Sequence, residues 1–468
     1  MNIAESLELF FNKITLPQTV KDFAEIFKKN GFQLYLVGGA VRDCLMGKDV
    51  HDYDFATNAK PEDVQKIFRH TIPVGLEHGT VLVLFQNEEF EVTTFRNADN
   101  TFANSINEDL KCRDFTINAF AYDISNGKVI DLFDGKKDLK NKMICAVDNP
   151  TARIQEDPLR MLRACRFAAV LEFCIEPKTI DAIKENVQLI QNVSAERIRD
   201  ELCKLMMASK PSCGLELMRT TGLLDIILPE LMEGFGFEQN RFHKYDVYYH
   251  NVYSCDNAPA SNLEVRIAAL LHDVAKPRTS HEKANDDGNS FYNHEIIGSR
   301  MAGRILKRLK FSTAQISHIK HLIKHHMFYY TKEWTDGAVR RFIRNVGAEN
   351  LEDLFLLRDA DRNGNGSKTG IPKAFIDFQD KIREIMEIDS ALKVTDLDIN
   401  GRDLIENFQM KQGPIIGEVL NYLLELVLDE PELNKHELLM EKAKEYYEKK
   451  CNYALEQYGK PPEELGKF

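Results

Sequence analysis

The chain has 468 residues, of which 43% are hydrophobic and 29% are charged, and its formal net charge at pH 7 is -12. This length predicts three or four domains, and the composition is typical of a soluble globular protein. The negative charge argues against a protein that coats nucleic acid nonspecifically, which needs an extended basic surface, although a local basic groove can still hold a shaped RNA.

Membrane and disulfide signals are both missing from the sequence. No run of about 18 consecutive apolar residues occurs, and the first residues, with Glu5 and Glu8, do not resemble a signal peptide. Nine cysteines without a Cys-x-x-Cys pair favour reduced thiols over a zinc ribbon or a disulfide framework. We therefore expect a cytoplasmic protein with no membrane partner.

Paired glycines follow the first strongly predicted strand. The apolar run Leu34–Val37 predicts a buried strand. Gly38 and Gly39 come directly after it, where a backbone without Cβ atoms can approach a polyphosphate closely. Arg42 supplies a cation for phosphate. The segment therefore predicts a phosphate-binding turn.

Carboxylates follow this turn. On a strand, Asp52 and Asp54 would leave the same face, roughly 7 Å apart at Cα, and their oxygens suit Mg²⁺. Two such ions about 4 Å apart would activate an attacking hydroxyl and stabilise a leaving pyrophosphate. An isolated Asp-x-Asp is more often a turn or helix cap, but the upstream glycines favour the metal site. Glu91, in the alternating run Phe90–Phe95, is a third catalytic candidate or an ordinary solvent-facing strand residue.

Arg113 and Asp114 form the next candidate pair. Arg113 is suited to hold a triphosphate, and Asp114 a ribose hydroxyl. Because an apolar run follows, the alternative is the capped start of a helix.

A helix with an arginine stripe is predicted to begin at Pro158. Asp157 and Arg160, at i and i+3, would share one face, and Arg163 and Arg166 would extend it. A carboxylate accepts from an exocyclic amine while a guanidinium donates to a ring nitrogen or carbonyl, so this pair could select C and A without a template. The alternative is a surface ion pair worth under about 1 kcal/mol.

His272 and Asp273 are adjacent in an apolar helical stretch that resembles the HD phosphohydrolase domain. Adjacent His and Asp can bind one divalent ion when other helices supply further ligands. Residues of suitable type lie at His250, His294, His325 and Asp361. The alternative is a helix bundle that kept the signature without activity.

Strand patterns dominate the first 150 residues, and helical patterns follow. The glycine-containing stretches 285–290 and 363–367 predict loops, the second of which would separate two domains. Residues 435–458 predict a charged surface helix. The predicted fold is α+β, with an α/β head over 1–150, an all-helical neck over 151–240, an HD domain over 241–370 and a helical tail over 371–468.

In chain order, these segments resemble the class II tRNA nucleotidyltransferase and bacterial poly(A) polymerase family over nearly the whole chain. Four ordered motifs carry the resemblance: Gly38–Asp54, Cys112–Asp114, Glu156–Arg166 and Glu196–Leu202. The resemblance implies addition of nucleotides from CTP and ATP to the 3′ end of tRNA, with a C-terminal tail that holds the tRNA. It assigns Mg²⁺ to Asp52 and Asp54, the triphosphate to Gly39, Arg42 and Arg113, and nucleotide reading to Asp157, Arg160, Arg163 and Arg166.

Two departures from the family pattern affect the expected activity. Cys112 stands where the family usually has an arginine, which questions one phosphate or structural contact. The segment Asn97–Asn107 is short, as in members that add only CC, whereas members that add CCA have a longer flexible loop here. The sequence therefore favours a CC-adding enzyme, and a separate enzyme would then add the terminal A.

The same motifs are compatible with other activities. Full CCA addition is the nearest alternative. A poly(A) polymerase would be expected to have a more basic tail for arbitrary RNA. An HD phosphohydrolase with a vestigial head is opposed by the intact Asp52 and Asp54, and a non-catalytic RNA-binding protein would have no use for a carboxylate metal site.

Overall fold

The computed structural model describes residues 14–460 apart from 51, 76–78, 98–100, 240–243, 283–288, 368–369, 371, 389–392 and 459. The chain divides into two compact units, one formed by residues 1–233 with 305–312 and the other by residues 234–304 with 313–468. The predicted α+β class is confirmed. The predicted domain borders near 150, 240 and 370 stay predictions.

A seven-stranded sheet in the order β3-β4-β5-β2-β1-β6-β7 forms the centre of the first unit. Its strands are β1 Leu34–Val37, β2 Asp54–Thr57, β3 Thr71–Gly75, β4 Thr80–Phe85, β5 Glu88–Thr94, β6 Phe120–Asp123 and β7 Lys128–Asp131. β2 and β5 run parallel. The other neighbouring strands are antiparallel. The predicted strand Leu34–Val37 is confirmed at both ends.

Most other elements of the first unit are helices. They are α1 Gln18–Lys29, α2 Gly39–Leu45, α3 Pro61–Ile67, α4 Ile106–Lys111, α5 Gly135–Lys140, α6 Pro150–Glu156, α7 Leu159–Leu171, α8 Pro177–Asn186, α9 Ala195–Met206, α10 Pro211–Thr220, α11 Leu223–Ile227 and α12 Pro229–Met232. Two short strands, β8 Met143–Ile144 and β9 Cys174–Ile175, pair in parallel among them.

A phenylalanine layer between α1 and the sheet orients the strands. The ring centroid of Phe23 lies 5.3 Å from that of Phe55 on β2 and 4.7 Å from that of Phe90 on β5. Successive strand side chains alternate between faces. Because Phe55 and Phe90 face α1, their neighbours Asp54 and Glu91 leave the opposite face of the sheet.

The second unit is mainly helical. Its helices are α13 Val247–Asn257, α14 Leu263–Leu271, α15 His294–Arg308, whose last residues belong to the first unit, α16 Thr313–His325, α17 Asp336–Val346, α18 Leu351–Gly364, α19 Lys373–Ile388, α20 Gly401–Phe408, α21 Pro414–Asp429 and α22 His436–Tyr458. Strands β10 Ser280–Glu282 and β11 Asn289–Phe291 form an antiparallel pair.

Two loop predictions need correction in this unit. Asn363 and Gly364 belong to the last turn of α18, so the second loop begins later than predicted. Asn289 and Ser290 belong to β11, while residues 285–288 lie outside the described part. The predicted C-terminal surface helix is confirmed as α22. Within the described residues, no helix combines the length and the apolar character needed to cross a membrane.

Candidate active site and metal centre

Three carboxylates lie close together near the start of β2. Asp54 is the first residue of β2 and is the register partner of Glu91 on the parallel strand β5. Asp52 is exposed and precedes the strand, so the prediction of two aspartates on one strand is wrong in that detail. Burial, followed by the charges of Glu91 and Asp52, raises the pKa of Asp54 to about 6, against the opposing effect of Arg113. Repulsion between carboxylates is relieved by a bound cation, and their hard oxygen atoms fit Mg²⁺.

The predicted glycine turn lies at the end of β1. Gly38 has φ 69° and ψ -135°, a conformation that side chains strongly disfavour. A Cβ atom at Gly38 would lie 2.8 Å from Nη1 of Arg113. The missing side chain thus leaves room for the Arg113 guanidinium, which also pairs with Asp109 at 3.1 Å. The structure brings the glycine turn and Arg113 together, and Arg113 in turn lies close enough to Asp54 to influence its pKa.

Arg42 is buried and anchored within the same unit. Its Nε and Nη2 donate to the carboxylate of Asp43 at 2.9 Å each, and its Nη1 donates to Oδ1 of Asn118 at 2.7 Å. A Cβ atom at Gly39 would lie 3.4 Å from Nη2 of Arg42. A guanidinium carries five N–H donors, so these bonds do not exhaust Arg42. Its contact with a triphosphate stays a prediction.

Asp114 forms the centre of a buried polar network. Its Oδ1 accepts from the backbone N–H of Phe115 at 2.8 Å and from Nδ2 of Asn118 at 3.1 Å. Its Oδ2 accepts from Nε and Nη2 of Arg163 at 2.8 and 2.6 Å. Burial opposes ionisation, but Arg163 and Asn118 together hold the pKa of Asp114 below its usual value. Asp114 therefore anchors Arg163, and a contact with ribose stays a prediction.

We expect the stability that Asp114 provides to be lost in acid. Its pKa is lower in the folded state, so this contribution is present above the unfolded pKa of 3.8 and disappears as the pH falls through the lower folded value. Asp114→Asn should therefore flatten the decline of the unfolding free energy below pH 3.8. Urea unfolding at a series of acidic pH values checks this, and an unchanged pH dependence in the variant would contradict it.

The arginines of α7 are held by acidic and main-chain groups. Glu201 of α9, only 4% exposed, pairs with Nη1 of Arg163 at 3.3 Å and with Nε of Arg166 at 2.6 Å. Nη2 of Arg160 donates to the carbonyl oxygen of Cys112 at 2.8 Å. The motif Glu196–Leu202 was evident in the sequence, but no role was predicted for Glu201 within it. The hydrophobic residues around Glu201 recur at helical spacing, and this pattern could have predicted its burial.

Asp157 does not share a helix face with Arg160, contrary to prediction. Its backbone is extended, with φ -144° and ψ 97°, and α7 begins only at Leu159. Pro158 is the cause, because a residue before proline is disfavoured in helical conformation. Oδ2 of Asp157 accepts from Nη2 of Arg197 on α9 at 2.8 Å. Arg197 is therefore a further residue of this region that sequence reasoning missed.

A second candidate site lies in the second unit. Within the described part of the chain, two groups of three potential metal ligands have their ligand atoms within 4.8 Å of one another: His250, His272 and Asp273, and Asp273, His294 and His326. Asp361 joins the first group, with its Oδ1 3.2 Å from Nε2 of His250. The structure thus brings the predicted His250, His272, Asp273 and Asp361 together.

His326 occupies the place predicted for His325. α16 ends at His325, whose ring centroid lies 4.5 Å from that of His321. The next residue, His326, is 1% exposed and turns into the cluster, where Nε2 lies 3.8 Å from Oδ1 of Asp273. The prediction for His325 is therefore wrong, because the end of the helix reverses which of two adjacent histidines faces inward.

Three imidazoles of the cluster turn their Nε2 atoms inward, as metal ligands do. In His272, His294 and His326, Nδ1 lies 2.8, 2.8 and 2.7 Å from the carbonyl oxygen three residues upstream. A carbonyl only accepts, so each Nδ1 carries hydrogen and each Nε2 points inward. Burial, followed by the nearby His272 charge, lowers the pKa of His326 to about 3. For His272, burial is outweighed by Asp273 and Asp361, which raise its pKa to about 10. A metal ion that binds His272 therefore releases a proton. This arrangement fits a divalent metal ion.

A cavity of about 480 Å³ opens beside this cluster. Positive groups line it: Nζ of Lys276 lies 2.6 Å from Oδ2 of Asp273, and Nη1 of Arg358 lies 2.8 Å from Oδ2 of Asp361. Aromatic side chains complete the wall, namely Phe291, Phe328, Tyr329, Tyr330 and Phe375. Cations beside a metal-ligand cluster suit a phosphorylated ligand, and the aromatic wall suits a flat group attached to it.

Comparisons with known proteins agree with this architecture. Residues 34–145 match the Poly A polymerase head domain, residues 172–235 the RNA- and SrmB-binding region of polymerase A, and residues 296–443 the tRNA nucleotidyltransferase domain 2. The solved structure of the Bacillus stearothermophilus CCA-adding enzyme in complex with CTP superposes with a TM-score of 0.72 at 29% identity, and the match covers 93% of this chain and 100% of that one.

Sequence relatives point the same way. The CCA-adding enzyme of Enterococcus faecalis is 48% identical over 214 residues, so the match spans 43% of this chain and about half, 52%, of that relative. The CCA-adding enzyme of Ligilactobacillus salivarius is 33% identical over 442 residues, which cover 91% of this chain and 96% of that protein. The chain therefore belongs to the tRNA nucleotidyltransferase and poly(A) polymerase family that includes the bacterial CCA-adding enzymes.

Proposed function

We propose that the chain adds C, C and A in turn to the 3′ end of tRNA, with CTP and ATP as substrates and pyrophosphate as the second product. The carboxylate group around Asp54 carries the proposal. Three acidic side chains beside a glycine turn and Arg113 are the groups that nucleotidyl transfer requires. Membership of the family supports tRNA as the acceptor.

Full CCA addition replaces the CC-only activity that the sequence favoured. That hypothesis rested on the short segment Asn97–Asn107, part of which lies outside the described residues. The relatives and the solved structure reported above are all CCA-adding enzymes. Two of these matches cover more than nine tenths of this chain, which supports addition of the terminal A by this chain as well, without a second enzyme.

The head residues have distinct proposed roles. Asp52, Asp54 and Glu91 hold Mg²⁺, which when bound supplies charge for the triphosphate and lowers the pKa of the attacking hydroxyl. The backbone of Gly38 and Gly39 lets the triphosphate approach closely, and Arg42 and Arg113 bind its oxygens.

Base selection is proposed for the region around α7. Asp157 retains accepting capacity beyond its bonds to Arg197 and Leu159, so it can accept from the exocyclic amine of C or A. Arg160 donates to the neighbouring ring atoms. Arg163 and Arg166 hold this region in place through Asp114 and Glu201. U and G present a carbonyl where the amine is needed, and Asp157 repels it.

Stepwise extension of a truncated tRNA tests the proposed function. Purified chain is incubated with tRNA that lacks its 3′ CCA, and with CTP alone, ATP alone or both, and the products are resolved at single-nucleotide resolution. We expect two C residues with CTP alone and CCA with both nucleotides. Products that stop at CC in the presence of ATP would restore the CC-only hypothesis, and long A tracts would indicate a poly(A) polymerase.

Gly38→Ala should weaken triphosphate binding. The new Cβ atom would meet Arg113 at 2.8 Å and displace its guanidinium, so we expect KM for CTP to rise about tenfold, which corresponds to about 1.4 kcal/mol. Gly31→Ala is the matched control, because Gly31 also has a positive φ of 82° but has nothing within 4 Å of an added Cβ. Equal KM changes in the two variants would contradict a specific role for the turn.

A second activity is proposed for the second unit, namely metal-dependent hydrolysis of a phosphoester. The converging ligands and the cavity lined by Lys276 and Arg358 favour it. His250, His272, Asp273 and Asp361 would hold the ion, whose charge polarises a phosphoryl oxygen when bound. The two positive side chains would bind the phosphate.

His272→Asn combined with Asp273→Asn should remove this hydrolysis while nucleotide addition continues. We expect at least a hundredfold loss of hydrolysis of 2′-nucleotides or 2′,3′-cyclic phosphates, because the metal ligands are removed. His325→Asn is the control, since His325 lies outside the cluster. Concurrent loss of tRNA extension in a folded double variant would argue against separate sites.

A further inference from the structure

A row of paired residues crosses the head sheet from the carboxylates towards the edge of the sheet. Glu91, the register partner of Asp54, is also the partner of Leu82 on β4. Leu82 in turn pairs with Ile72 on β3, the edge strand. Side chains of directly paired residues lie on one face of a sheet, and residues i and i+2 of a strand share that face. Ile72, Leu82 and Leu84 therefore lie on the same face as the carboxylates.

These three aliphatic residues, which we call the aliphatic shelf, are open to solvent. Ile72 and Leu84 are 48% and 40% exposed, and Leu82 is half-buried. Neighbouring strands lie about 4.8 Å apart, so Leu82 is about 5 Å and Ile72 about 10 Å from Glu91 across the sheet. The aliphatic shelf therefore begins directly beside the proposed metal ligands and continues to the edge of the sheet.

The aliphatic shelf and the glycine turn lie on opposite sides of the carboxylates. β1 pairs with β2 on the side away from β5. The antiparallel register of Leu36 with Phe55 places the end of β1, and hence Gly38, beside Asp54. In an in-line displacement the attacking and leaving oxygens lie on opposite sides of the phosphorus. With the triphosphate tail held at Gly38 and Arg113, the attacking hydroxyl therefore approaches from the side of the aliphatic shelf.

We propose that the aliphatic shelf holds the 3′-terminal nucleotide of the RNA acceptor. The inference rests on the proposed nucleotidyl transfer and names the residues that place the acceptor in that reaction. The 3′ oxygen of the held nucleotide forms the new bond to the α-phosphorus, the bond to pyrophosphate breaks, and the hydroxyl proton passes to solvent. Ile72, Leu82 and Leu84 are positioning residues, because holding the nucleotide keeps its hydroxyl close to the α-phosphate.

The apolar character of the aliphatic shelf suits an acceptor whose last base changes. Aliphatic side chains pack against a flat base or a ribose but neither donate nor accept hydrogen bonds, so they do not discriminate among bases. Each addition of C or A makes the added nucleotide the next acceptor. A surface that accepts any terminal base therefore fits repeated addition, whereas a hydrogen-bonding surface would favour one step over the others.

The edge of the sheet is poorly suited to pairing with a second copy of the chain. Pro73, in the middle of β3, has no N–H to donate, and the register of β3 with β4 shifts between Pro73 and Gly75. Proline and bulges are the features that prevent an edge strand from adding another strand. The exposed aliphatic surface is thus better suited to a ligand that packs on its face, as a nucleotide does.

Photocrosslinking to the native chain tests where the acceptor lies. A tRNA that lacks its CCA end and carries 4-thiouridine as its 3′-terminal residue is bound and irradiated with near-ultraviolet light, and the crosslinked peptide is identified by mass spectrometry. We expect the crosslink to fall within β3 or β4. A crosslink confined to other segments would overturn the proposal.

Ile72→Ser combined with Leu84→Ser tests the effect on the reaction. We expect kcat for single-turnover extension at saturating tRNA and CTP to fall about tenfold, because the hydroxyl is no longer held near the phosphate, while Kd for CTP is unchanged. Leu132→Ser is the matched control, since Leu132 is 42% exposed and follows β7 at the opposite edge of the same sheet. Equal rates in the two variants would refute a positioning role.

Further outcomes separate this inference from the proposed function. A native chain that extends tRNA without a crosslink in β3 or β4 refutes the aliphatic shelf alone. A native chain that gives this crosslink but transfers no nucleotide refutes the proposed function and supports the RNA contact. A native dimer that becomes a monomer in the double variant, measured by sedimentation, assigns the surface to a second copy and overturns the inference. If the double variant does not fold, the crosslink in the native chain decides.

Discussion

Asp54→Asn is expected to lower kcat for tRNA extension by about 10³-fold, a loss of about 4 kcal/mol of transition-state stabilisation. The substitution removes the most buried of the three head carboxylates and with it a proposed metal ligand. Single-turnover extension of truncated tRNA at saturating CTP and Mg²⁺ measures the effect on the chemical step.

A measurement of stability distinguishes the loss of a metal ligand from misfolding of the Asp54→Asn variant. Burial and the neighbouring carboxylates raise the pKa of Asp54 to about 6, so ionised Asp54 destabilises the metal-free protein at neutral pH. The variant should therefore be at least as stable as the parent in urea without metal. Asp49→Asn, an exposed carboxylate three residues before Asp52, should leave both rate and stability unchanged. A stable Asp54→Asn enzyme with full activity would contradict the assignment.

Glu201→Gln should cost about 3 kcal/mol of unfolding free energy, near the lower end for breaking a buried ion pair, because Arg163 keeps its partner Asp114. Arg166 loses its only ion-pair partner among the described residues, and its side chain is only 12% exposed. Urea unfolding at neutral pH measures this change. We also expect greater incorporation of U and G, since the supports of the proposed base-reading region move.

Asp200→Asn supplies the matched control on the same helix. Asp200 is exposed, and among the described residues its one ion pair is with the neighbouring Arg199. Surface pairs of this kind contribute about 0–1 kcal/mol. Comparable stability losses in the two variants would show that the buried position of Glu201 confers no special role. A large stability loss with unchanged nucleotide selection would confine Glu201 to a structural role.

Local sequence patterns were enough to predict part of the candidate active site in the head domain. Leu34–Val37 reads as a strand because its four residues are apolar and glycine ends the run, and this prediction holds at both ends. The approach of Glu91 to Asp54 depends on two strands pairing in parallel although β3 and β4 lie between them in sequence. Alternation predicts each strand, but only the sheet topology makes these two residues neighbours.

Helix ends account for the main errors among the site residues. Pro158 removes Asp157 from the helix that carries Arg160, so the i, i+3 spacing had no geometric meaning there. The end of α16 likewise places His326, rather than the predicted His325, in the metal-ligand cluster. Glu201 and Arg197 were missed because their partners on α7 and before it lie 35 to 40 residues away in sequence. Tertiary packing of two helices, rather than local spacing, creates these contacts.

A thio-substitution experiment determines whether metal ions held by the head contact the nucleotide. tRNA lacking its CCA end is extended from each diastereomer of the α-thio analogue of CTP in Mg²⁺ and in Mn²⁺. If ions held by Asp52 and Asp54 contact the α-phosphate, one diastereomer will react far more slowly in Mg²⁺, which binds sulfur poorly, and Mn²⁺ will restore much of its rate. Equal relative rates of the two diastereomers in both metals would contradict the account.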